Sequence, residues 1–369
     1  MASEPQQRRT EILAAAARLF RRRGFAQVGI DDIGAEVGLS GPALYRYFDS
    51  KQTLLAEIII GHLDRIDSRV DAEPVPALVA AAVEEPDAMY VMARYPGVLA
   101  GDPLVQVRER RARFESAWDS LLLPFDEGST DQLRRQAIAG LLTHLALARS
   151  GSRAQRATVA RQCIDDLLSI RLQPARAQPE GQSPLRHVNR REAILAVAIP
   201  LFCERGYAAV SLADIGTPLG VTGSAVARQF GSKEDLLATA LLRGSEQISA
   251  GIALALRRSA SADEAAREML AGYVSLAVDF PELVVVQNIE PYALSERYRS
   301  ERRKRHRGYV DELAHVVELA DPRNGKTASR LRAGAAFGAL NEAIVGAVRA
   351  RSAVDAADLL RIASAVALP

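Results

Sequence analysis

The 369-residue sequence predicts an all-α fold, and three observations predict it. Apolar residues recur at helical spacing. No stretch alternates convincingly with a period of two. One segment occurs twice, each time punctuated as three helices followed by the start of a longer one. Shifted by 182 residues, positions 8–55 align with 190–237 without a gap, and 24 of the 48 positions are identical, which chance does not produce. The chain therefore reads as two tandem units. The expected domains are 1–53 and 188–235, small and duplicated, 54–171 and 236–369, larger and helical, and a linker over 172–187. Weaker echoes follow the strong one. Tyr95-Pro96 resembles Phe280-Pro281 at a shift of 185, and the Arg-rich stretch 108–114 resembles 301–309. Each half ends in small-residue-rich helical sequence, at 137–148 and 333–348.

The elements follow in order. Ile12, Leu13, Ala16, Leu19 and Phe20 fall on one helical face, and Gly24 supplies a left-handed stop. A short helix then carries Ile30, Ile33 and Val37; in the second copy it opens on Ser211 with Asp214 three residues on, close to a capping box. Gly38-Leu39-Ser40 is a tight turn. Ser40 suits the N-cap of a third helix reaching Phe48, with Pro42 in its first turn, where a missing N–H is harmless. A longer helix starts near Ser50-Lys51. Residues 172–184, rich in Pro, Gln and Gly with few bulky apolar side chains, suit a linker.

Composition excludes several classes. The net charge is only +2, so any contact with nucleic acid comes from local patches. Cys163 and Cys203 have no C-x-x-C spacing, which argues against a disulfide framework and a zinc site. The five histidines form no metal-ligand motif, and there is no nucleophile elbow or phosphate-binding glycine loop. No enzyme, cofactor or metal is expected. The polar N-terminus is no signal peptide, and no apolar run nears the ~20 residues that span a bilayer, so the expected location is cytoplasmic, with no membrane partner.

Two short helices joined by a glycine-containing turn describe a helix-turn-helix, whose second helix enters the major groove of DNA. Small residues at its start, Ser40, Gly41, Pro42 and Ala43, suit close approach to the groove. Tyr45, Arg46 and Tyr47 add hydroxyl and guanidinium donors, and Lys51 at the next helix start suits a phosphate. Residues 8–55 resemble the DNA-binding domain of TetR-family transcriptional regulators, matching at Leu19, Phe20, Gly24, Phe25, Asp32, Ile33, Gly38, Ser40, Leu44, Tyr45, Tyr47, Phe48, Lys51 and Leu54. The resemblance implies about nine helices per unit, a ligand cavity in each C-terminal part and a dimer built from the last two helices. It also implies a double-stranded DNA operator, a hydrophobic small-molecule effector and a repressor. With two units in one chain, an intrachain pseudo-dimer is expected, alone or in a homodimer of chains.

The second copy departs where it should touch DNA. Ala227 and Gln229 stand where the first copy has Tyr45 and Tyr47, while Thr222, Gly223, Arg228 and Lys233 are kept or conservatively changed. Pro200 replaces Arg18 and Pro218 replaces Glu36, and a proline inside a helix costs ~3 kcal/mol. Two readings stay open: a second reader of different strength or specificity, or a unit retired from DNA that supplies mass and a dimerisation surface. A ligand sensor or scaffold acting through protein partners is the rival for the whole chain. Candidate effector contacts are Met89, Tyr90, Met92, Phe114, Trp118 and His144 in the first half. In the second they are Tyr273, Gln287, Asn288, Tyr292, Phe337 and Asn341, the asparagines standing out because a buried amide needs a partner. Each has plain core packing as its alternative. Arg21, Arg22 and Arg23 complement the end of the first helix, and Arg302, Arg303, Lys304, Arg305 and Arg307 suit a solvated face, with an acidic ligand group as the sharper alternative.

Overall fold

A computed structural model describes residues 4–69, 73–122, 129–173, 187–289 and 291–368. Most of the linker expectation lies outside the described residues. Among those described there are eighteen α-helices, nine in each half, and no strand. In the first half these are α1 (Glu4–Arg23), α2 (Ile30–Glu36), α3 (Gly41–Leu44), α4 (Lys51–Asp67), α5 (Pro74–Glu84), α6 (Pro86–Arg94), α7 (Gly101–Leu122), α8 (Ser129–Leu147) and α9 (Arg153–Ser169). The second half has α10 (Arg190–Arg205), α11 (Leu212–Gly216), α12 (Gly223–Phe230), α13 (Lys233–Arg258), α14 (Ala262–Asp279), α15 (Pro281–Ile289), α16 (Glu296–Ala320), α17 (Gly325–Ala350) and α18 (Ala356–Ala367). Two compact units result, residues 1–127 with 138–168, and 128–137 with 169–369. No single described helix is long and apolar enough to cross a membrane.

Each duplicated domain is built on one apolar cluster. Ile12 and Phe20 of α1, Ile33 of α2, Leu44 of α3, Phe48, and Leu54 of α4 are buried together. Ile194, Phe202, Ile215, Val226, Phe230 and Leu236 do the same in the second copy. The expected punctuation is present. Gly24 and Gly206 end the first helices at positive φ, and Gly38 and Gly220 turn the chain at φ 69° and 65°. Ser50 and Ser232 cap α4 and α13, and Ser211 with Asp214 forms the capping box of α11.

The first copy is tied to the helices behind it by polar contacts. Tyr95 donates its hydroxyl proton to the Phe20 carbonyl at 3.0 Å, and Arg21 pairs with Asp87 of α6. Buried His62 of α4 lies 2.9 Å from Glu85, at the α5–α6 junction, which also accepts from Arg65 at 2.6 Å. In the second copy Cys203 stands in place of Arg21 and Gly244 in place of His62, where a Cβ would lie 2.9 Å from Leu283 of α15.

The echo at a shift of 185 is corrected. Pro96 opens a 3-10 turn, Pro96–Val98, whereas Pro281 opens α15 itself. The helices instead pair Pro86 with Pro281, and the turns pair Pro96 with Pro291, both at a shift of 195. The shift grows from 182 because α13 and α14, 26 and 18 residues, outlast α4 and α5, 17 and 11 residues.

The prolines are accommodated. α10 runs unbroken through Pro200, and Pro218 falls in the first turn of a 3-10 segment, Thr217–Leu219, that follows a shortened α11. In the first copy the same two positions form a single contact, the Arg18–Glu36 ion pair at 3.6 Å. Both prolines thus replace one surface ion pair, a contact worth little in water.

Candidate nucleic-acid interface

The angle between α2 and α3 depends on glycine. A Cβ on Gly34 would lie 2.6 Å from the Leu39 carbonyl, and one on Gly216 2.4 Å from that of Val221. These carbonyl-bearing turns close over the helix by Leu39 N–H donating to Gly34 O at 2.8 Å and Val221 N–H to Gly216 O at 3.1 Å. Gly41 also belongs to this packing. It is buried, and a Cβ there would collide with the Asp31 carboxylate at 1.9 Å. Gly223 would meet Ala213 N at 2.9 Å. Gly223 thus has a reason for its small size in the backbone of the preceding helix, whereas a Cβ on Gly41 would meet chiefly the end of the exposed Asp31 side chain.

Lys51 and Lys233 also have internal partners. The Lys51 ammonium donates to the carbonyls of Phe25 at 3.0 Å and Val28 at 2.9 Å, and sits 4.3 Å from the Phe25 ring centroid. Partial burial lowers its pKa. Lys233 repeats the arrangement with Tyr207 O at 2.8 Å, Val210 O at 2.7 Å and the Tyr207 ring at 4.3 Å. Both ammonium groups fasten the α1–α2 and α10–α11 turns, leaving one donor of three for a phosphate.

What faces solvent is narrower than the sequence set. In the first copy Ser40, Pro42, Tyr45 and Arg46 are exposed, Tyr45 at 55%. Ala43 is half-buried, and the Tyr47 ring leans on the core cluster. In the second copy Thr222, Ser224, Arg228 and Gln229 are exposed. Ser224 was not anticipated; its only signal was that it stands opposite Pro42. Ser40 occupies the N-cap of α3 without a side-chain bond, whereas the Thr222 hydroxyl accepts from Ala225 N–H at 3.3 Å.

A duplicated arginine was also missed. Arg9 stacks 4.3 Å from the Phe48 ring centroid, bonds the Tyr47 carbonyl and pairs with Glu57. Arg191 stacks 4.0 Å from Phe230 and bonds the Gln229 carbonyl. Each arginine fixes the end of its unit's third helix. Identity at both positions in the repeat was the available clue.

The effector candidates divide. Tyr273, Phe337 and Asn341 converge in the second unit: the tyrosine hydroxyl donates to Asn341 Oδ1, and the two rings lie 4.8 Å apart. Tyr309 and His306, not anticipated, extend the cluster, with Tyr309 5.2 Å from Phe337 and the His306 and Tyr309 rings 4.9 Å apart. Burial pushes the Tyr273 and Tyr309 hydroxyls far up in pKa. Tyr273 also borders a surface cleft with Leu276, Phe280, Leu283 and Gln287. Asn288 donates one amide N–H to the Val284 carbonyl of its own helix at 2.8 Å. Tyr292 lies half-buried in a 3-10 turn outside this cluster. In the first unit Tyr90, Met92 and Phe114 pack onto the core around α1 and α4, Met89 is buried on α6, and His144 is half-buried on α8. The Trp118 side chain lies outside what the structure describes. Arg303 pairs with Glu296, and Arg305 with Glu301 and Glu246, as a solvated face does.

Two helix-turn-helix domains on helical bodies define a class of DNA-binding fold. The family model described as bacterial regulatory proteins, tetR family, matches residues 12–58 and again 194–240. The chain carries the TetR-family DNA-binding domain twice. Among relatives, the HTH-type transcriptional repressor KstR2 of Rhodococcus jostii (strain RHA1) is 32% identical over 132 residues, 31% of this chain and 63% of the relative. The HTH-type transcriptional regulator EthR of Mycolicibacterium smegmatis is 39% identical over 72 residues, 19% of this chain and 33% of the relative. The chain thus spans less than two-thirds of either curated relative. Among solved structures, a TetR-family transcriptional regulator from Bordetella parapertussis 12822 is 20% identical and matches 49% of this chain and 95% of that one, at a TM-score of 0.44.

Proposed function

We propose that the chain is a cytoplasmic, sequence-specific transcriptional regulator that binds a double-stranded DNA operator and is released by a small molecule. The single observation that carries this reading is the exposed face of the first copy. Ser40, Pro42, Tyr45 and Arg46 are exposed at the third helix of the motif, while Leu44 and Phe48 are buried in its core. On this reading Arg46 and Ser40 meet base edges with Ala43 at the groove surface, and Tyr45 and the hydroxyl of half-buried Tyr47 meet phosphates. The two units act as an intrachain pseudo-dimer, which the tandem repeat favours. The effector is a hydrophobic molecule. Its contacts in the second unit are Tyr273, Phe337 and Asn341, and in the first Met89, Tyr90, Met92 and Phe114. It acts as an inducer only if it binds the DNA-released arrangement more tightly; equal affinity shifts nothing.

The test is a gel-shift and footprint of the full chain on its own upstream DNA over a range of salt. A steep fall in affinity with salt marks phosphate contacts. Tyr45→Phe is expected to weaken all sequences alike, and Arg46→Ala to relax preference at one base pair. A flat salt response would favour the rival reading, a scaffold acting through protein partners. The loss of both tyrosines from the second copy is the observation on that side.

A further inference from the structure

The two third helices are wound differently. After Leu44 the first copy turns instead of continuing as an α-helix: Arg46 N–H donates to Ala43 O at 3.3 Å and Tyr47 N–H to Leu44 O at 2.9 Å, three residues back, before Phe48 N–H returns to Leu44 O at 3.1 Å, four back. Such turns step side chains by about 120°, against 100° in an α-helix. The second copy stays α-helical from Gly223 to Phe230. Thr222 caps its start, and Gly231 at φ 86° lets its last N–H bond to Ala227 O at 2.6 Å. Asp49 stands at the Gly231 position of the first copy, and its backbone does not take a positive φ. Arg46 and Arg228 share a place in the repeat, but Arg46 stands in a turn and Arg228 in the last turn of an α-helix.

The exposed side chains of α12 form a set of their own. Val226 and Phe230 face the core, so Ser224 and Arg228, one turn apart, lie on the opposite side. Gln229 is exposed beside them, its carbonyl held by Arg191. Among the described residues the Arg228 guanidinium and the Gln229 amide have no recorded partner. Packing accounts for Gly216, Gly223, Val226 and Phe230. It does not account for an arginine and a glutamine projecting from a capped, clamped helix; Ser224 Oγ lies 2.9 Å from Thr222 Oγ1 at the start of that helix. Arginine and glutamine are the side chains that pair bidentately with guanine and adenine.

We propose that α12 is a second DNA reader with its own base preference, carried by Ser224, Arg228 and Gln229, so that one chain takes an operator whose two half-sites differ. This rests on the DNA-binding reading above. The loss of Tyr45 and Tyr47 removes side chains from a helix that is rebuilt, not abandoned.

The experiment is selection of bound sequences from a random duplex library by the full-length protein. Wild type is run beside Arg46→Ala and the double variant Arg228→Ala/Gln229→Ala. All three positions are exposed, and unchanged far-ultraviolet circular dichroism confirms the fold. The wild type is expected to enrich two unlike half-sites. Arg46→Ala should blur one of them and the double variant the other, each with a loss of roughly ten-fold or more in affinity for the selected site. A palindrome of like half-sites, or an unchanged preference in the double variant, overturns the inference while leaving DNA binding intact. Failure to enrich any sequence, with no dependence on salt, overturns the DNA-binding reading as well.

Discussion

Replacing Gly34 by alanine tests whether the helix-turn-helix angle is set by a missing side chain. The new Cβ would sit 2.6 Å from Leu39 O, 3.3 Å from Gly41 N and 3.3 Å from the Ser40 carbonyl carbon. All three are backbone atoms, so no side chain can swing aside. Relief requires α2 and the turn to separate, which lengthens the Leu39 N–H bond to Gly34 O. Overpacking of this kind costs about 1–3 kcal/mol. A 2.6 Å approach to backbone belongs at the upper end of that range, and alanine returns at most about 1 kcal/mol of helix propensity, so a net loss of about 2 kcal/mol is expected. Gly216→Ala, with Val221 O at 2.4 Å, should lose at least as much. Gly251→Ala in α13 meets nothing within 4 Å and should be neutral or stabilising by up to about 1 kcal/mol. The assay is urea unfolding of the full chain followed by circular dichroism, read at the first transition. A Gly34→Ala protein as stable as wild type, or shifted in the same direction as Gly251→Ala, would refute the steric reasoning.

Other outcomes can be checked in the same preparations. Tyr273→Phe leaves Asn341 Oδ1 buried without its donor and should cost about 1–3 kcal/mol in the unfolding of the second unit; an unchanged melt would mean another group serves the amide. Burial raises the Glu85 carboxyl, but hydrogen bonds from His62 and Arg65 outweigh it and hold it below its ordinary range. Its contribution is therefore present at neutral pH and lost as pH falls through the folded-state value, below about 4.5. Glu85→Gln should be destabilised by about 1 kcal/mol at pH 7 and by less as the pH is lowered below about 4.5; an effect that does not shrink with falling pH would exclude the linkage. Burial, with Glu282 nearby, pushes the Cys203 thiol up to about 11, and Cys163 is buried. Neither thiol should react readily with a disulfide reagent at pH 8 until the protein unfolds; one fast equivalent in the native protein would contradict this.

Much of the duplicated domain was legible because its signals are local. Gly24, Gly38, Ser50 and the Ser211–Asp214 box act within a few residues of themselves, so their types announce their roles. The candidate site was less legible. Lys51 and Gly41 were read by position in a motif, as DNA contacts. Their partners, Phe25 and Val28 for one and Asp31 for the other, lie 10 to 26 residues away and become neighbours only when the helices pack. The Arg18–Glu36 pair shows the same limit. In sequence its two proline replacements look like separate insults to two helices, whereas in space they fall on one exposed contact. In the effector region Asn288 and Asn341 look alike in sequence, and packing distinguishes them. One bonds its own helix, and the other reaches Tyr273, 68 residues away in the chain.

By itself the sequence determined that the chain is all-α, that it contains one domain twice, and that this domain is of the TetR helix-turn-helix type. Helical period, glycine and capping residues, and internal identity act over short distances or are visible by self-comparison. The tertiary structure decided which motif residues face solvent and which hold the motif together. It also showed that Tyr273, Phe337 and Asn341 meet, and that the two third helices end in different geometries. Those outcomes depend on which backbone atoms approach within a few ångströms once the helices close. Gly231 takes a positive φ at the end of α12, where Asp49 of the first copy does not.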